Sequence, residues 1–403
     1  MKMGYLSSYV RGIVFKRLSA VETNLQVSHQ HEFNGTRELI YLFGEAKRNF
    51  PTRMLYFGEE EADNLAIDVQ LTWYDARENH PTRSEHRLYF PGNDSIDRAI
   101  AGDLLIIALK PDDSLLAVIC KAGSTYESQI SWLFGIRPDG AERFSEKLIE
   151  DENDVEVDLS TRYILEQLGI EVRERDDTHL DRLIARFGNE FPPTDVFSRF
   201  AREAFTECDA IQDPDGTLVY WIDKEELLFR AFEKHLILNR VREGFNDSVD
   251  DFFSYSLSVQ NRRKSRAGYA LENHLEEIFT ANRIRYSRGK VTENKAKPDF
   301  IFPDIQNYHT PEFPDTRLTM LGVKSTCKDR WRQVLSEAAR IRQKHLLTLE
   351  PAISNNQTDE MRAHELQLVL PRNLHSTYNE EQQKWLISLA DFLNIATKRQ
   401  AEE

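Results

Sequence analysis

Two short apolar runs constrain the fold of the carboxy-terminal half of this chain. Pro298 to Phe302 and Leu318 to Lys324 have the length and apolar content of buried strands, and Gln333 to Ala339 has the composition of a helix that follows them. From Ala270 onwards the pattern predicts helix, three strands, helix and strand, with a last helix over about 380–394. This order is typical of a small mixed α/β sheet flanked by helices.

The amino-terminal part has a different texture. From Val14 to Phe134 it is rich in β-forming residues, and Ile67 to Tyr74 alternates at the period of a half-buried strand. Asp103 to Leu109 and Leu115 to Ile119 are apolar runs joined by a turn signal. These features predict a β-rich domain shaped as a half-open barrel of short strands.

The acidic stretch that follows Glu142 indicates an exposed connection between two domains. We therefore predict a β-rich domain over 1–150, an acidic linker over 151–181 and an α/β domain over 182–403.

Composition excludes several classes of protein. With 403 residues and 30% charged content the chain can bury a sizeable core, and its three scattered cysteines indicate neither a disulfide framework nor a thiolate zinc site. We expect a reducing, cytoplasmic setting and no insertion in a membrane, since no run approaches the length that crosses a bilayer.

The formal net charge of −15 argues against bulk attraction to nucleic acid. A local cluster, Arg262 to Arg266, nevertheless offers a phosphate-binding footprint in which Arg262 and Arg263 are candidate DNA contacts. The alternative is a solvated charged helix face.

Three residues near the two apolar runs suit phosphodiester chemistry. Asp299 and Glu337 can supply two oxygen ligands to Mg²⁺, and Lys324 can orient the attacking water or stabilise charge that develops on phosphorus. Residue types alone give this set little specificity, because a chain with 30% charged residues contains many such combinations. Its context, with strands around Asp299 and Lys324, strengthens the assignment.

Longer strings resemble a known family. Residues 261–268, then Lys297 to Phe300, then Val323 to Gln333 resemble the catalytic domain of EcoRII-type restriction endonucleases. The resemblance implies a PD-(D/E)xK nuclease whose second carboxylate is displaced onto the next helix. Gly322 stands where the general motif has an acid, and Glu337 is where the displaced carboxylate is expected. Glu272 is similar to the accessory acid on the first helix of such folds.

The same resemblance implies DNA contacts in both domains. In the catalytic domain Lys328, Asp329 and Arg330 would read adjoining C:G pairs in the major groove, where basic residues suit guanine and an acid suits cytosine. The amino-terminal domain is similar to an effector domain, a DNA-binding pseudobarrel that binds a further copy of the site and restrains cleavage. Its candidate contacts are His29, Arg83, Glu85, His86 and Arg87.

The resemblance implies a homodimeric, Mg²⁺-dependent enzyme that cuts double-stranded DNA at a short C:G-rich site, with a cognate cytosine methyltransferase protecting the host's own sites. Two alternatives stay open. One is a structure-specific or mismatch repair nuclease on the same sheet, and the other is a DNA-binding regulator without nuclease activity.

Overall fold

The computed structural model describes residues 5–23, 31–138, 143–149, 157–172, 179–246, 248–327 and 330–401. The chain divides into two compact units. The first comprises the residues up to Val172 together with the segment Pro351–Thr358, and the second comprises the remainder. Among the described residues no helix combines the length and the apolar character needed to cross a bilayer.

The first unit is built on a large curled sheet. Its described strands are β1 (Gly12–Arg17), β2 (Glu32–Asn34), β3 (Arg48–Phe57), β4 (Leu65–Asp75), β5 (His86–Tyr89), β6 (Leu104–Leu109), β7 (Leu115–Cys120) and β8 (Ser145–Leu148). Their order is β2-β5-β4-β3-β7-β6-β1-β8, and only the β3/β7 pair is parallel. The two predicted apolar runs are confirmed as β6 and β7, which pair with each other and are buried along their whole length.

Five helices of the first unit are described: α1 (Ala20–Thr23), α2 (Arg37–Phe43), α3 (Asp94–Arg98), α4 (Thr125–Phe134) and α5 (Leu159–Gln167). Helix α5 lies inside the predicted linker 151–181, where Ile164 and Leu165 belong to the same apolar core as β6 and β7. The prediction of an exposed connection was therefore wrong for this stretch. The acidic residues 150–156 lie outside the described part.

The second unit starts with helices α6 (Leu180–Phe187), α7 (Thr194–Ala204), α8 (Pro214–Glu243) and α9 (Val249–Ala281). The predicted helix over Ala270 to Phe279 is only the last part of α9, which begins after the cap Ser248. Leu271, Leu275 and Phe279 pack against the strands of the sheet that follows. Because α9 is long and continuous, the basic cluster at 262–266 lies in its middle.

The second sheet consists of β9 (Ser287–Arg288), β10 (Phe300–Phe302), β11 (Thr319–Val323), β12 (Lys344–Leu347) and β13 (Leu366–Val369), in the order β13-β12-β11-β10-β9. β9, β10 and β11 are antiparallel neighbours, whereas β11, β12 and β13 are parallel. Helices α10 (Ile305–His309), α11 (Trp331–Leu335), α12 (Asn355–Ala363), α13 (Glu380–Gln383) and α14 (Leu389–Ala401) complete the described α-helices, and the residues of α12 up to Thr358 belong to the first unit. The predicted mixed α/β architecture is thus observed, although the predicted last helix is divided into α13 and α14.

Candidate active site

Asp299 and Lys324 meet at one end of the antiparallel β10/β11 pair. β10 begins immediately after Asp299 and β11 ends immediately before Lys324, and the pairing of Phe300 with Leu321 brings the two residues together. Lys324 Nζ donates a hydrogen bond to Asp299 Oδ2 at 2.9 Å, and the Val323 N–H donates to the same oxygen at 2.7 Å. The carboxylate is therefore fixed by a backbone donor as well as by the ammonium.

Gly322 explains why no acid stands two positions before the lysine. A Cβ built on Gly322 would lie 2.8 Å from Val334 Cγ2 and 3.1 Å from Val334 Cγ1. Contacts this short are not tolerated, and Val334 is a fully buried residue of α11. Any second carboxylate must therefore come from another element.

Glu337 supplies a carboxylate next to this pair, but not from a helix. We expected it on the helix that follows Lys324, whereas α11 ends at Leu335 and Glu337 lies in the turn beyond. The reason is the backbone of the next residue, Ala338, whose φ of 49° is left-handed and incompatible with continuing the helix.

The environment of Glu337 is unusual for a carboxylate. Its Oε2 atom is buried and has no hydrogen-bond partner among the residues that the structure describes. The pKa of the side chain is raised to about 7, chiefly by burial; the charge of Lys324 opposes the shift and the charge of Asp299 adds to it. Glu337 therefore shares the electrostatic field of the Asp299–Lys324 pair.

Glu272 of α9 belongs to the same field. Burial raises its pKa, followed by repulsion from Asp299, while Arg288 and Lys324 act in the opposite direction. Arg288, in β9, donates from Nε to Glu272 Oε2 at 2.9 Å and from Nη1 to Asn273 Oδ1 at 2.9 Å. Arg288 was not singled out in the sequence analysis, so its role in holding Glu272 was missed.

The residues present fit a hard divalent cation. Among the described residues no three His, Cys, Asp or Glu side chains converge into a ready-made metal cage. Mg²⁺, however, usually keeps several waters and takes only one or two protein carboxylates. Asp299 and Glu337 provide that number. The buried Oε2 of Glu337, which has no hydrogen-bond donor among the described residues, can coordinate a cation.

The candidate DNA contacts of the second unit occupy contrasting places. Arg330 is exposed at the start of α11, whereas Lys328 and Asp329 lie outside the described residues. Arg262 stacks over the ring of Phe191 at 4.7 Å, and Arg263 Nε donates to the buried Glu233 at 2.7 Å. The two predicted phosphate contacts thus have partners within the second unit, although the Arg263 side chain is 62% exposed.

The candidate DNA contacts of the first unit also differ in their exposure to solvent. His86 is 7% exposed, stacks on Trp73 at 5.0 Å and has Nε2 2.9 Å from Glu45 O, so it belongs to the core and presents no surface to a base. This corrects its prediction as a DNA contact. His29 lies outside the described residues.

Glu85 and Arg87 form a surface network of charges. Arg87 is paired with Glu32 at 2.8 Å and with Glu85 at 2.5 Å, and Glu85 also accepts from Arg77 at 2.5 Å. Arg83 is exposed in the loop that leads to β5. Of these two candidate arginines, Arg87 is therefore paired with acidic side chains, whereas Arg83 is exposed.

Comparison with known families gives a match over most of the second unit. Residues 229–393, which include Asp299, Lys324 and Glu337, match the family model described as EcoRII C terminal. This region of the chain is therefore similar to EcoRII C-terminal domains.

The chain is homologous to the type II restriction enzyme EcoRII of Escherichia coli, with 45% identity over 182 residues. This match covers 45% of the present chain and 45% of that enzyme, so less than half of the relative's length is represented.

Two solved structures give weaker similarities. Metal-depleted Ecl18kI in complex with uncleaved, modified DNA has a TM-score of 0.45 and 16% identity, covering 56% of this chain and 85% of its own. The PspGI–substrate DNA complex has a TM-score of 0.44 and 16% identity, covering 52% and 93% respectively.

Proposed function

We propose that this protein is a Mg²⁺-dependent type II restriction endonuclease that hydrolyses phosphodiester bonds of double-stranded DNA at a short C:G-rich site. The observation that carries the proposal is the bonded Asp299–Lys324 pair beside the unpartnered oxygen of Glu337. The match of residues 229–393 to the EcoRII C-terminal family model supports it, because that region contains all three residues.

The roles of the residues follow from their chemistry. Asp299 and Glu337 would hold Mg²⁺, which when bound neutralises charge on the phosphate and makes a nearby water more acidic. Lys324 Nζ, held in place by Asp299, orients the attacking water and stabilises charge that develops on phosphorus. Glu272, braced by Arg288, would act as an accessory acid that accepts a proton or binds a water.

Sequence recognition is assigned to both units. Arg330, together with Lys328 and Asp329, would read C:G pairs in the major groove, and the exposure of Arg330 supports this. The first unit, proposed to be an effector pseudobarrel, would bind a further copy of the site through Arg83, Glu85 and Arg87, with His29 as an additional candidate. Occupation of that second site would then regulate cleavage.

We further propose that the active protein is a homodimer, because cutting two strands at a symmetric site needs two catalytic centres. The tip of the α8/α9 hairpin is a suitable surface. Val249, Phe253 and Leu257 are exposed at intervals of four residues along α9, and Leu238 and Val241 are exposed on α8. An apolar stripe of this kind is typical of a helix that packs against another helix.

The charges of the hairpin favour a second copy as the occupant. The last turn of α8 carries Arg240 and Arg242, and the first turn of α9 carries Asp250 and Asp251. A two-fold axis at the tip would bring the cations of one copy towards the acids of the other. Sedimentation velocity should show a dimer for the unmodified protein and for Ile211→Glu, an exposed apolar control, but a monomer for Leu257→Glu. A dimer that persists in Leu257→Glu would contradict this surface.

The proposed activity is tested by digesting a sequenced plasmid with Mg²⁺ and mapping the ends. Ends at one recurring short sequence support a restriction enzyme, whereas preferential cutting of mismatched or branched duplexes supports a repair nuclease. If Lys324→Ala leaves the protein's activity in cells unchanged, the DNA-binding regulator is favoured. A cytoplasmic location and protection of host sites by a cytosine methyltransferase remain part of the proposal.

A further inference from the structure

The turn that presents Glu337 is held in a conformation that its own sequence disfavours. Ala338 is buried and has a φ of 49°, a left-handed backbone in which the Cβ of an L-residue crowds the following carbonyl oxygen. Such residues persist only where surrounding contacts fix them, and they are concentrated at functional sites. The contacts that fix Ala338 therefore indicate what holds the neighbouring Glu337 in its position.

Two consecutive backbone donors after Ala338 are bound by a side-chain pair. The Ala339 N–H donates to Glu293 Oε2 at 3.3 Å, and the Arg340 N–H donates to the Tyr308 hydroxyl oxygen at 3.3 Å. Tyr308 in turn donates to Glu293, with its hydroxyl 2.6 Å from Oε2 and 2.8 Å from Oε1. Glu293 and Tyr308 therefore bind the two backbone N–H groups that directly follow Ala338.

The side chain of Arg340 fastens the same turn from the other direction. Its guanidinium donates to Phe313 O at 2.7 Å, to Thr310 O at 3.0 Å and to Asp315 Oδ1 at 2.8 Å, and also to Tyr308 O. Thr310, Phe313 and Asp315 lie between α10 and β11, and Tyr308 lies in α10 itself. Because the guanidinium is planar and its donors point in fixed directions, the position of Arg340 is closely defined.

The result of this fixation is a buried Glu337 oxygen without a hydrogen-bond donor in the described part of the chain. A free turn would rotate Glu337 until Oε2 met water or an N–H group, since an unpartnered buried acceptor is unfavourable. The contacts of residues 339 and 340 prevent that relaxation. This is the arrangement expected of a ligand group held ready for a cation.

We propose that Glu293, Tyr308 and Arg340 are positioning residues that hold Glu337 beside the Asp299–Lys324 pair for a divalent cation. The proposal rests on the proposed nuclease function and adds to it three residues outside the catalytic set. They act on the metal site through the backbone of 338–340 and touch no substrate. Their effect should therefore appear first in metal affinity.

The test uses the full chain and calorimetric titration with Mn²⁺ in the absence of DNA. Tyr308→Phe keeps the buried ring and removes the hydroxyl, so we expect it to fold and to bind Mn²⁺ about tenfold more weakly than the unmodified protein. The matched control is Arg342→Ala, which removes a nearby arginine paired with Glu365 at 2.7 Å on the surface. That variant should bind Mn²⁺ normally.

A second pair of variants separates positioning from general stability. Glu293→Gln keeps an oxygen acceptor for Tyr308 and Ala339 and should retain Mn²⁺ affinity, whereas Glu293→Ala should lose it to the same extent as Tyr308→Phe. Thermal unfolding of each variant shows whether the loss follows stability instead. Affinity that falls in step with melting temperature, also in Glu293→Gln, would overturn the positioning role.

Glu337→Gln distinguishes failure of this inference from failure of the proposed function. If Glu337→Gln loses Mn²⁺ and Tyr308→Phe does not, the positioning role is refuted and the nuclease proposal stands. If neither variant loses Mn²⁺, the metal site at Glu337 is refuted and both proposals fail with it.

Discussion

Replacing Glu337 by glutamine is expected to stabilise the metal-free protein at pH 8. The pKa of Glu337 is raised from 4.5 to about 7, chiefly by burial. At about 1.4 kcal/mol for each pKa unit, folding with an ionised Glu337 costs about 3 kcal/mol. Because the side chain keeps part of its exposure to water, we expect a measured gain of about 2 kcal/mol in the free energy of unfolding.

The pH dependence of this gain follows from the direction of the shift. A carboxyl group whose pKa is higher in the folded state binds protons more tightly when folded, so its contribution is fully present below the unfolded pKa of 4.5. That contribution is lost as the pH rises towards 7 and stays lost above it. The advantage of Glu337→Gln should therefore fall to about a quarter of its alkaline value at pH 5.

The assay is thermal unfolding in EDTA at pH 5 and pH 8. A gain of about 2 kcal/mol corresponds to roughly 4–8 °C in a domain of this size. Glu365→Gln is the control, because the pKa of Glu365 is lowered by its hydrogen bond to Arg342 and its neutralisation removes a favourable contact. Added Mg²⁺ should raise the melting temperature of the unmodified protein and not that of Glu337→Gln. Equal melting temperatures for both proteins at pH 8, or a gain as large at pH 5, would refute the reasoning.

Three further outcomes are expected in the full chain. Lys324→Ala should keep specific DNA binding and lose cleavage, measured by gel shift and plasmid nicking; normal cutting would remove Lys324 from the mechanism. Arg330→Ala should weaken binding to the mapped site by about 1–3 kcal/mol while leaving binding to unrelated DNA unchanged, and an equal loss on both would assign Arg330 to the backbone instead. Arg83→Ala should abolish the effect of added second-site duplex on cleavage rate without altering Mn²⁺ affinity; unchanged stimulation would exclude Arg83 from the effector surface.

The sheet elements and the Asp299–Lys324 pair were predictable because they depend on local patterns. Buried strands such as β6 and β7 are continuous apolar runs, and two short strands on either side of a connecting loop pair as neighbours. Proximity of Asp299 to Lys324 follows from that pairing alone.

The position of Glu337 was not predictable in the same way. Residues 333–339 are good helix formers, and only the tertiary contacts of Ala339 and Arg340 force Ala338 out of the helical region. In the sequence analysis Gly322 was interpreted only as the position where the general motif has an acid. A glycine in a strand also often marks the close approach of another element. Here that element is Val334.

Charged residues were the least predictable. Arg263 and His86 were predicted to contact DNA. In the structure Arg263 donates a hydrogen bond to the buried Glu233, and His86 stacks on the face of Trp73. A single sequence does not reveal such distant partners. Burial separates His86 from Arg83 and Arg330, which are exposed candidates for contact with DNA, whereas Arg263 is exposed and differs from them by its bond to Glu233.

The segment Pro351–Thr358 belongs to the first unit, although it is synthesised long after the other residues of that unit, which end at Val172. Gln129 Nε2 donates to Pro351 O at 3.2 Å and Thr125 Oγ1 donates to Gln357 at 2.9 Å, and Ile353 is fully buried. The ribosome must therefore synthesise the chain as far as Thr358 before α4 receives these last contacts, although domains generally fold as they emerge. Gene fusions or deletions that separate the two halves would leave the nascent amino-terminal half with an uncovered helix.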